Sequence, residues 1–271
     1  MLWNAKNGRA AVNGGTMPYV SFGRGKRFLV LLPGLSDGLT SVAGKALLLA
    51  PPYRAFFREF TVLMFSRRDP LPPGTSIRDM ARDQAASMDA LGIRSASVLG
   101  VSQGGMIAEW LAIDHPQRVE KLVLAVTAPR VNDTIREALD EWIAPAEAGD
   151  HRGLMISTAE RSYSPGYLRR MRPLFPVLGL VGRPKDGYRR FLANARAILS
   201  FDASEDLGKI ACPTLILAGA EDRIVGGEAA HELKRGIPGS ELHVYPGLGH
   251  AAWEEAPDFN ERVRDFITEE K

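Results

Sequence analysis

Residues 95–105 constrain the fold of this chain more than any other segment. They read Ser-Ala-Ser-Val-Leu-Gly-Val-Ser-Gln-Gly-Gly, an apolar run that stops at Ser102 with a glycine two residues before it and another two residues after it. Apolar residues then recur at helical spacing from Met106 to Ile113, and Pro116 follows as a stop signal. This order predicts a buried strand, a sharp turn at Ser102 and a helix.

A strand-to-helix turn of this kind is tight and strained. Side chains two residues on either side of the serine would collide with backbone, which accounts for Gly100 and Gly104. The turn lifts the serine hydroxyl into an open cleft. A Gly-x-Ser-x-Gly match by itself is a weak signal, and the predicted strand and helix around it are what make Ser102 a candidate nucleophile.

A serine hydroxyl needs an imidazole base, and the imidazole needs a carboxylate that fixes its tautomer. The C-terminal third offers both, because residues 213–219 predict a strand that runs into Glu221 and Asp222, and residues 241–245 predict a strand followed by a glycine turn and His250. We predict His250 as the base and a carboxylate of this loop, Asp222 or its neighbour Glu221, as its partner. Four other histidines suit the role less well, because they lie in a predicted strand or in helical segments: His115, His151, His231 and His243.

The order of serine, acid and histidine along the chain resembles that of the α/β-hydrolase fold superfamily. Three segments carry the resemblance, each after a predicted strand: 100–105, 219–223 and 247–250. The resemblance extends over nearly the whole chain. In the segment from Gln103 to Thr127 it is closest to the subgroup of carboxylesterases and enol-lactone hydrolases. It implies that Ser102 is the nucleophile, His250 the general base and Asp222 the carboxylate partner.

The predicted fold class is α/β, a doubly wound and mostly parallel sheet of the α/β-hydrolase type. Buried strands alternate with helical segments near residues 28–32, 61–65, 96–101 and 121–126. A turn signal at Asn13-Gly14-Gly15 predicts an introductory hairpin. Residues 128–206 have helical periodicity and no convincing strand. We therefore predict a core of residues 1–127 and 207–271 with a helical cap, residues 128–206, inserted into it.

The oxyanion of an acyl-transfer reaction needs two hydrogen-bond donors. We predict the backbone amide of Gln103, which begins a helix, and the backbone amide of Leu35, in the loop after the strand at residues 28–32. Pro33 stands in this loop where many members of the superfamily have histidine, so contacts of that side chain cannot be carried over. Asp37, in the same loop, is interpreted as a helix cap.

Charged residues of the predicted cap are segregated by sign. Residues 133–150 are acidic, with only Arg136 opposing, and residues 160–196 are basic, with only Glu160 and Asp186 opposing the arginines and lysine there. The favoured interpretation is that these are solvated helix faces that attract each other, and the alternative is a cationic rim for an acidic substrate. For residues 66–69 we favour a structural role, in which a local ion pair between arginine and Asp69 anchors the loop. The alternative is that these residues contact the substrate.

Composition is that of a compact enzyme. With 271 residues, 45% of them hydrophobic and 24% charged, the chain suits one large α/β domain. A net charge of +2 with no basic stripe argues against nucleic acid as a partner. No metal-ligand spacing, leader or membrane-length apolar run appears, so we expect no metal, no cofactor, no membrane span and a cytoplasmic location. The single cysteine, Cys212, is interpreted as a structural thiol.

The predicted function is hydrolysis of carboxylic esters of small to medium, fairly apolar substrates through an acyl-enzyme. The same three side chains could open a lactone, such as an enol-lactone, or cleave a carbon–carbon bond beside a carbonyl, and the sequence does not separate these reactions. A ligand-binding receptor of this fold with little turnover is an alternative of another class. The oligomeric state, monomer or homodimer, also stays open.

Overall fold

The computed structural model describes residues 2–185 and 187–269, so Asp186 lies outside the described residues. The strands are β1 Lys6–Val12, β2 Gly15–Gly23, β3 Arg27–Leu32, β4 Phe60–Phe65, β5 Ala96–Val101, β6 Val119–Ala125, β7 Thr214–Gly219 and β8 Glu241–Tyr245. The α-helices are α1 Ala46–Leu49, α2 Ile77–Ala90, α3 Gln103–Asp114, α4 Asp133–Ala148, α5 His151–Ser162, α6 Pro165–Met171, α7 Phe175–Leu178, α8 Arg189–Leu199, α9 Glu228–Gly236, α10 Ala252–Glu255 and α11 Phe259–Thr268. Short 3₁₀ turns lie at Leu2–Asn4, Leu35–Gly38, Pro51–Phe56, Pro116–Arg118, Arg172–Leu174 and Ser204–Lys209.

The strands form one eight-stranded sheet in the order β1-β2-β4-β3-β5-β6-β7-β8. Strands β3 to β8 are parallel, and β1 and β2 are antiparallel to their neighbours. Val12 pairs with Gly15, so the first hairpin turns at Asn13 and Gly14 as predicted. The predicted fold class is confirmed, and the predicted strands are all present with small shifts at their ends.

The sheet buries both of its faces. Leu29 and Leu31 of β3 lie in one core cluster, whereas Val30 and Leu32 lie in the other, as the alternation of side chains along a strand requires. Helices α2, α3 and α9 cover the face of Val30, and α1 and α11 cover the face of Leu29. Burial on both faces explains why the central strands are almost continuously apolar.

The order of strands reverses direction at β3. From β3 the chain passes to β4 on one side and then to β5 on the other, and β6, β7 and β8 continue on the side of β5. Loops after neighbouring parallel strands meet at the same edge of the sheet, and a crevice opens where the order reverses. The loop after β3 and the turn after β5 therefore lie side by side.

Between β6 and β7, the described residues form helices α4 to α8 and no strand longer than an isolated bridge. This bridge joins Arg130 to Asp202, and the amide of Ala203 donates to Pro129 O over 2.8 Å, so the segment leaves and rejoins the core at one place. That residues 128–206 act as a separate cap remains a proposal. We use the word cap for this segment below.

Two ion pairs connect the acidic and basic parts of the cap. Arg161 pairs with Glu141 at 2.5 Å, and Arg196 pairs with Glu147 at 2.6 Å. These contacts favour the interpretation that the two parts attract each other. Of the described residues, no helix is both long enough and apolar enough to cross a bilayer.

Candidate active site

Ser102 occupies the turn between β5 and α3 with φ 55° and ψ −122°, a conformation that costs a non-glycine residue about 1–3 kcal/mol. The glycines around it are sterically required. A Cβ on Gly104 would lie 1.9 Å from Leu32 O, and one on Gly100 would lie 2.4 Å from Gly104 O. The amide of Ser102 donates to Ala125 O over 2.9 Å, which ties the turn to β6. The predicted strand, strained turn and helix are confirmed.

The structure brings together the three predicted side chains in one hydrogen-bonded line. Ser102 Oγ lies 2.9 Å from His250 Nε2, and His250 Nδ1 lies 2.8 Å from Asp222 Oδ2. The other carboxylate oxygen, Asp222 Oδ1, accepts from the amides of Ile224 and Val225 over 2.8 and 3.0 Å. Because a carboxylate only accepts, His250 Nδ1 carries the proton, and Nε2 is left to accept from the serine hydroxyl.

Burial and charge oppose each other at Asp222. Burial alone would raise the pKa of its carboxyl, but the His250 imidazole and the amides of Val225 and Ile224 outweigh that effect and hold the pKa below its usual range. The carboxyl is therefore ionised at neutral pH and can orient the imidazole.

Backbone contacts fix the acid loop against the histidine loop. Glu221 donates its amide to Leu248 O over 2.8 Å, and its side chain is exposed to solvent and makes no contact with the imidazole. A Cβ on Gly219 would lie 2.2 Å from Gly249 O, so only glycine permits this approach. Asp222 rather than Glu221 thus contacts His250.

The predicted oxyanion donors border Ser102 from two sides. Gln103 follows it directly as the first residue of α3, and a Cβ on Gly34 would lie 3.3 Å from Ser102 Cβ, so the loop that carries Leu35 packs closely against the serine. Within residues 2–185 and 187–269, neither the Leu35 amide nor the Gln103 amide donates a hydrogen bond. Among the described residues, both amides are therefore left without an acceptor.

The predicted capping role of Asp37 is wrong. Its carboxylate makes no cap hydrogen bond and is buried. It accepts from Ser66 Oγ, from the amide of Arg67 over 2.9 Å and from Arg190 Nη2 over 2.7 Å. The physical reason is that the end of β4 lies beside the loop after β3 and presents Ser66 and Arg67, and α8 of the cap adds Arg190. Local sequence does not reveal these partners.

The predicted ion pair between arginine and Asp69 is also wrong, because Arg68, the arginine next to Asp69, pairs with Asp83 at 3.3 Å. Arg67 turns inward and is 1% exposed, and its Nη2 donates to Pro33 O over 2.6 Å and to Gln103 Oε1 over 2.9 Å. Burial lowers the pKa of the Arg67 guanidinium to about 10, with the Asp37 carboxylate opposing that effect, so it is charged at neutral pH. Residues 66–69 are therefore anchored as predicted, but through contacts of Arg67 with Pro33 and Gln103.

Two cap residues reach this region, and sequence reasoning missed both. Arg190 donates to Asp37 and also to Arg67 O over 3.1 Å, and Asn194 O accepts from Gln103 Nε2 over 2.9 Å. Arg190 lies 153 positions from Asp37 in sequence, and the basic run around it gave no signal that one member is partly buried.

A cavity of about 760 Å³ lies next to the serine turn, and its lining residues include neighbours of Ser102 but neither Ser102 nor His250. Gly34 and Val101, which flank Ser102, line it, as do Trp253 from the segment after His250 and Tyr167 from the cap. Its remaining wall is largely apolar, with Leu31, Leu49, Tyr53, Met64, Leu99 and Phe259. The volume suits a ligand of moderate size.

Cys212 is a free, partly buried thiol. Burial raises the pKa of this thiol to about 11, so it is protonated at neutral pH. This agrees with the structural interpretation drawn from the sequence.

A family profile described as alpha/beta hydrolase fold matches residues 28–257. The matched segment spans most of the chain and includes Ser102, Asp222 and His250. The chain belongs to the α/β-hydrolase family. This membership agrees with the sheet order and with the strained serine turn described above.

Relatives of this α/β hydrolase cover nearly its whole length. A 2-hydroxy-6-oxononadienedioate/2-hydroxy-6-oxononatrienedioate hydrolase of Pseudomonas putida is 30% identical over 263 residues, 92% of this chain and 90% of the relative. The enol-lactonase of Burkholderia xenovorans LB400 superimposes with a TM-score of 0.82 at 24% identity, covering 97% of this chain and all of the other. Est816, an N-acyl homoserine lactone degrading enzyme, superimposes with a TM-score of 0.77 at 27% identity, covering 96% of this chain and 100% of the other.

Proposed function

We propose that this α/β hydrolase is a serine hydrolase that cleaves carboxylic esters through a covalent acyl-enzyme. The observation that carries the proposal is the hydrogen-bonded line from Ser102 Oγ through His250 to Asp222. In this line the neutral imidazole has its acceptor nitrogen on the serine hydroxyl, which is the arrangement that activates a serine at neutral pH.

In the proposed acylation step, Ser102 Oγ attacks the ester carbonyl carbon and His250 Nε2 takes the hydroxyl proton. The amides of Leu35 and Gln103 donate to the oxyanion, and Asp222 stabilises the imidazolium that forms. When the tetrahedral intermediate collapses, His250 returns the proton to the leaving alcohol. In deacylation, a water molecule gives a proton to His250 and attacks the acyl carbon. The bond from that carbon to Ser102 Oγ then breaks, His250 returns the proton to Oγ, and the carboxylic acid leaves.

The cavity beside Ser102 supports a substrate of small to medium size and apolar character. Its volume of about 760 Å³ exceeds the needs of an acetyl group, and most of its wall is aliphatic or aromatic. Lys45 adds one cationic group to the wall, and Asp37 and Glu254 add two acidic groups. We therefore expect a preference for an acyl or alcohol group longer than acetate.

A second candidate is lactone opening, or cleavage of a carbon–carbon bond beside a carbonyl, with the same three residues. The names of two relatives favour it: one is a hydrolase of 2-hydroxy-6-oxononadienedioate, and Est816 degrades N-acyl homoserine lactones. In either reaction, Ser102 would act on a carbonyl group of a substrate bound in the same cavity.

The test is steady-state hydrolysis of p-nitrophenyl esters from acetyl to long acyl chains, by the wild type and by Ser102→Ala. The proposal expects turnover that depends on chain length and falls at least about 10³-fold in Ser102→Ala, with thermal unfolding unchanged. Equal activity of the two proteins would refute it. A folded wild type with no ester turnover would shift the assignment to lactone or carbon–carbon substrates, or to a receptor recognised by ligand-dependent thermal stabilisation without turnover.

A further inference from the structure

Helix α8 of the cap packs directly against the oxyanion loop, by which we mean residues 33–38. A Cβ on Gly38 would lie 2.8 Å from Phe191 Cα, so the helix and loop backbones touch. Phe191, Asn194 and Ala195 on the inner side of α8 are buried. The cap is therefore in contact with the region that contains Leu35 before any substrate binds.

A buried polar cluster, the α8 bridge, joins this helix to both predicted oxyanion donors. Its members are Asp37, Arg67, Gln103, Arg190 and Asn194. Asp37 and Gln103 are 3% and 0% exposed, so water does not compete for their hydrogen bonds.

On the side of Leu35, the bridge holds the loop at two points. Arg67 Nη2 donates to Pro33 O over 2.6 Å, and the Asp37 carboxylate accepts from the Arg67 amide and from Arg190 Nη2. Arg190 also donates to Arg68 O over 2.9 Å. Leu35 lies between the two held points, so its amide cannot move independently of them.

On the side of Gln103, the bridge holds the side chain of the residue that supplies the second amide. Gln103 Oε1 accepts from Arg67 over 2.9 Å, and Gln103 Nε2 donates to Asn194 O over 2.9 Å. One guanidinium, that of Arg67, thus touches the oxyanion loop and the first residue of α3 together. Two of the five members come from α8.

We propose that α8 sets the geometry of the oxyanion hole, and that Asp37, Arg67 and Arg190 are positioning residues for the amides of Leu35 and Gln103. Donors of an oxyanion must sit within about 2.7–3.1 Å of the developing charge, and displacements of about 0.5 Å weaken them. Release of α8 from the bridge lets the two amides drift apart. The proposal rests on the proposed function, because it assumes that Ser102 attacks a carbonyl.

The test compares Arg190→Gln with Arg196→Gln. Both arginines lie on α8 and pair with an acid, but Arg196 pairs with Glu147 at the surface and takes no part in the bridge. We expect kcat of Arg190→Gln to fall about 10- to 100-fold with KM within threefold of the wild type, and Arg196→Gln to match the wild type. Circular dichroism confirms that each variant is folded at the assay temperature. If Arg190→Gln does not fold, Arg190→Lys replaces it in the same comparison. Lysine keeps the positive charge but lacks the planar set of N–H donors with which Arg190 contacts Asp37, Arg67 and Arg68 together.

A second readout needs no natural substrate. A phosphonofluoridate labels an activated serine: Oγ attacks phosphorus, the P–F bond breaks, fluoride leaves, the hydroxyl proton passes to His250, and the phosphoryl oxygen occupies the oxyanion hole. Mass spectrometry follows the labelling rate of Ser102. We expect labelling of Arg190→Gln to slow in proportion to its kcat, and added methylguanidinium to restore part of the rate in Arg190→Ala but not to change that of Arg196→Ala.

The outcomes separate the two proposals. If the wild type is not labelled at Ser102, or Ser102→Ala hydrolyses esters as the wild type does, the proposed function fails and the inference with it. If Ser102 is required but Arg190→Gln and Asp37→Asn keep kcat and the labelling rate within twofold, only the inference fails. A rise in KM with unchanged kcat also overturns the inference, because Arg190 would then bind the substrate directly.

Discussion

Replacement of Asp222 by asparagine tests how the site fixes the histidine tautomer. In the wild type, one carboxylate oxygen accepts from His250 Nδ1, and the other accepts from the amides of Ile224 and Val225. Asparagine keeps the shape but has one oxygen and one NH₂ group. The two backbone amides demand the oxygen, so the NH₂ group faces His250. Nδ1 must then accept, the proton moves to Nε2, and Nε2 can no longer accept a proton from Ser102.

The size of the loss in kcat follows from what the variant must give up to recover the productive tautomer. To restore the productive tautomer, the asparagine must turn its NH₂ group toward the two amides, and both hydrogen bonds are lost. Each unsatisfied buried donor costs about 1–3 kcal/mol, or about 2–6 kcal/mol for the pair. At about 1.36 kcal/mol per factor of ten in rate, kcat should fall between about 30-fold and about 2 × 10⁴-fold.

The assay is kcat for a p-nitrophenyl ester, measured for the wild type, Asp222→Asn and the matched control Glu221→Gln. Glu221 is the neighbouring carboxylate, exposed and without contact to His250, so its variant should keep wild-type activity. Folded Asp222→Asn with kcat within threefold of the wild type would refute the tautomer argument. Loss of activity in Glu221→Gln instead would reassign the acid.

Two further predictions concern stability. Gly104→Ala should lower the free energy of unfolding by at least about 1–3 kcal/mol and abolish most activity, because the new Cβ would lie 1.9 Å from Leu32 O. The control is Gly208→Ala, which should leave the melting temperature almost unchanged because no atom lies within 4 Å of the new Cβ. Burial raises the pKa of the Glu109 carboxyl well above its usual range. The folded protein therefore keeps this carboxyl protonated, whereas the unfolded chain ionises it above about pH 4.3. Because the unfolded chain then gives up the proton more readily, the contribution of Glu109 to stability falls as pH rises. Urea unfolding near pH 5 and pH 8 should therefore show the advantage of Glu109→Gln growing with pH, and an advantage equal at both pH values would contradict the neutral carboxyl.

The fold could be predicted because its strands are encoded locally. A strand buried on both faces must be almost entirely apolar, and β3, β5, β6 and β7 are, so each is visible without knowledge of its neighbours. Only their ends differ: residues 121–126 were predicted where β6 runs Val119–Ala125, because the charged and exposed Glu120 obscures its start.

The three central side chains could be predicted for a related reason. Ser102, Asp222 and His250 each follow closely on the carboxyl end of a strand, and parallel strands bring those ends to one edge of the sheet. Local sequence therefore gives approximate position in space. Local sequence distinguishes Asp222 from Glu221 only weakly as the acid, because one step along a loop changes which carboxylate faces the imidazole. The two amides that donate to Asp222 decide the matter in the structure.

The α8 bridge follows no such rule, and this is why the role of Asp37 was predicted wrongly and the contacts of Arg67 were not foreseen. Asp37 was interpreted by its nearest neighbours in sequence as a helix cap, and Arg67 only as a member of a loop anchored by a local ion pair with Asp69, because an exposed residue finds its partners locally. Both are buried, and a buried charge must find partners wherever the fold brings them. The Asp37 carboxylate found its ion-pair partner on α8, whereas two other cap arginines, Arg161 and Arg196, pair with acids of the cap itself. Burial of Asp37 therefore makes docking of α8 a condition for a satisfied oxyanion loop, because withdrawal of Arg190 would leave that carboxylate without its cation.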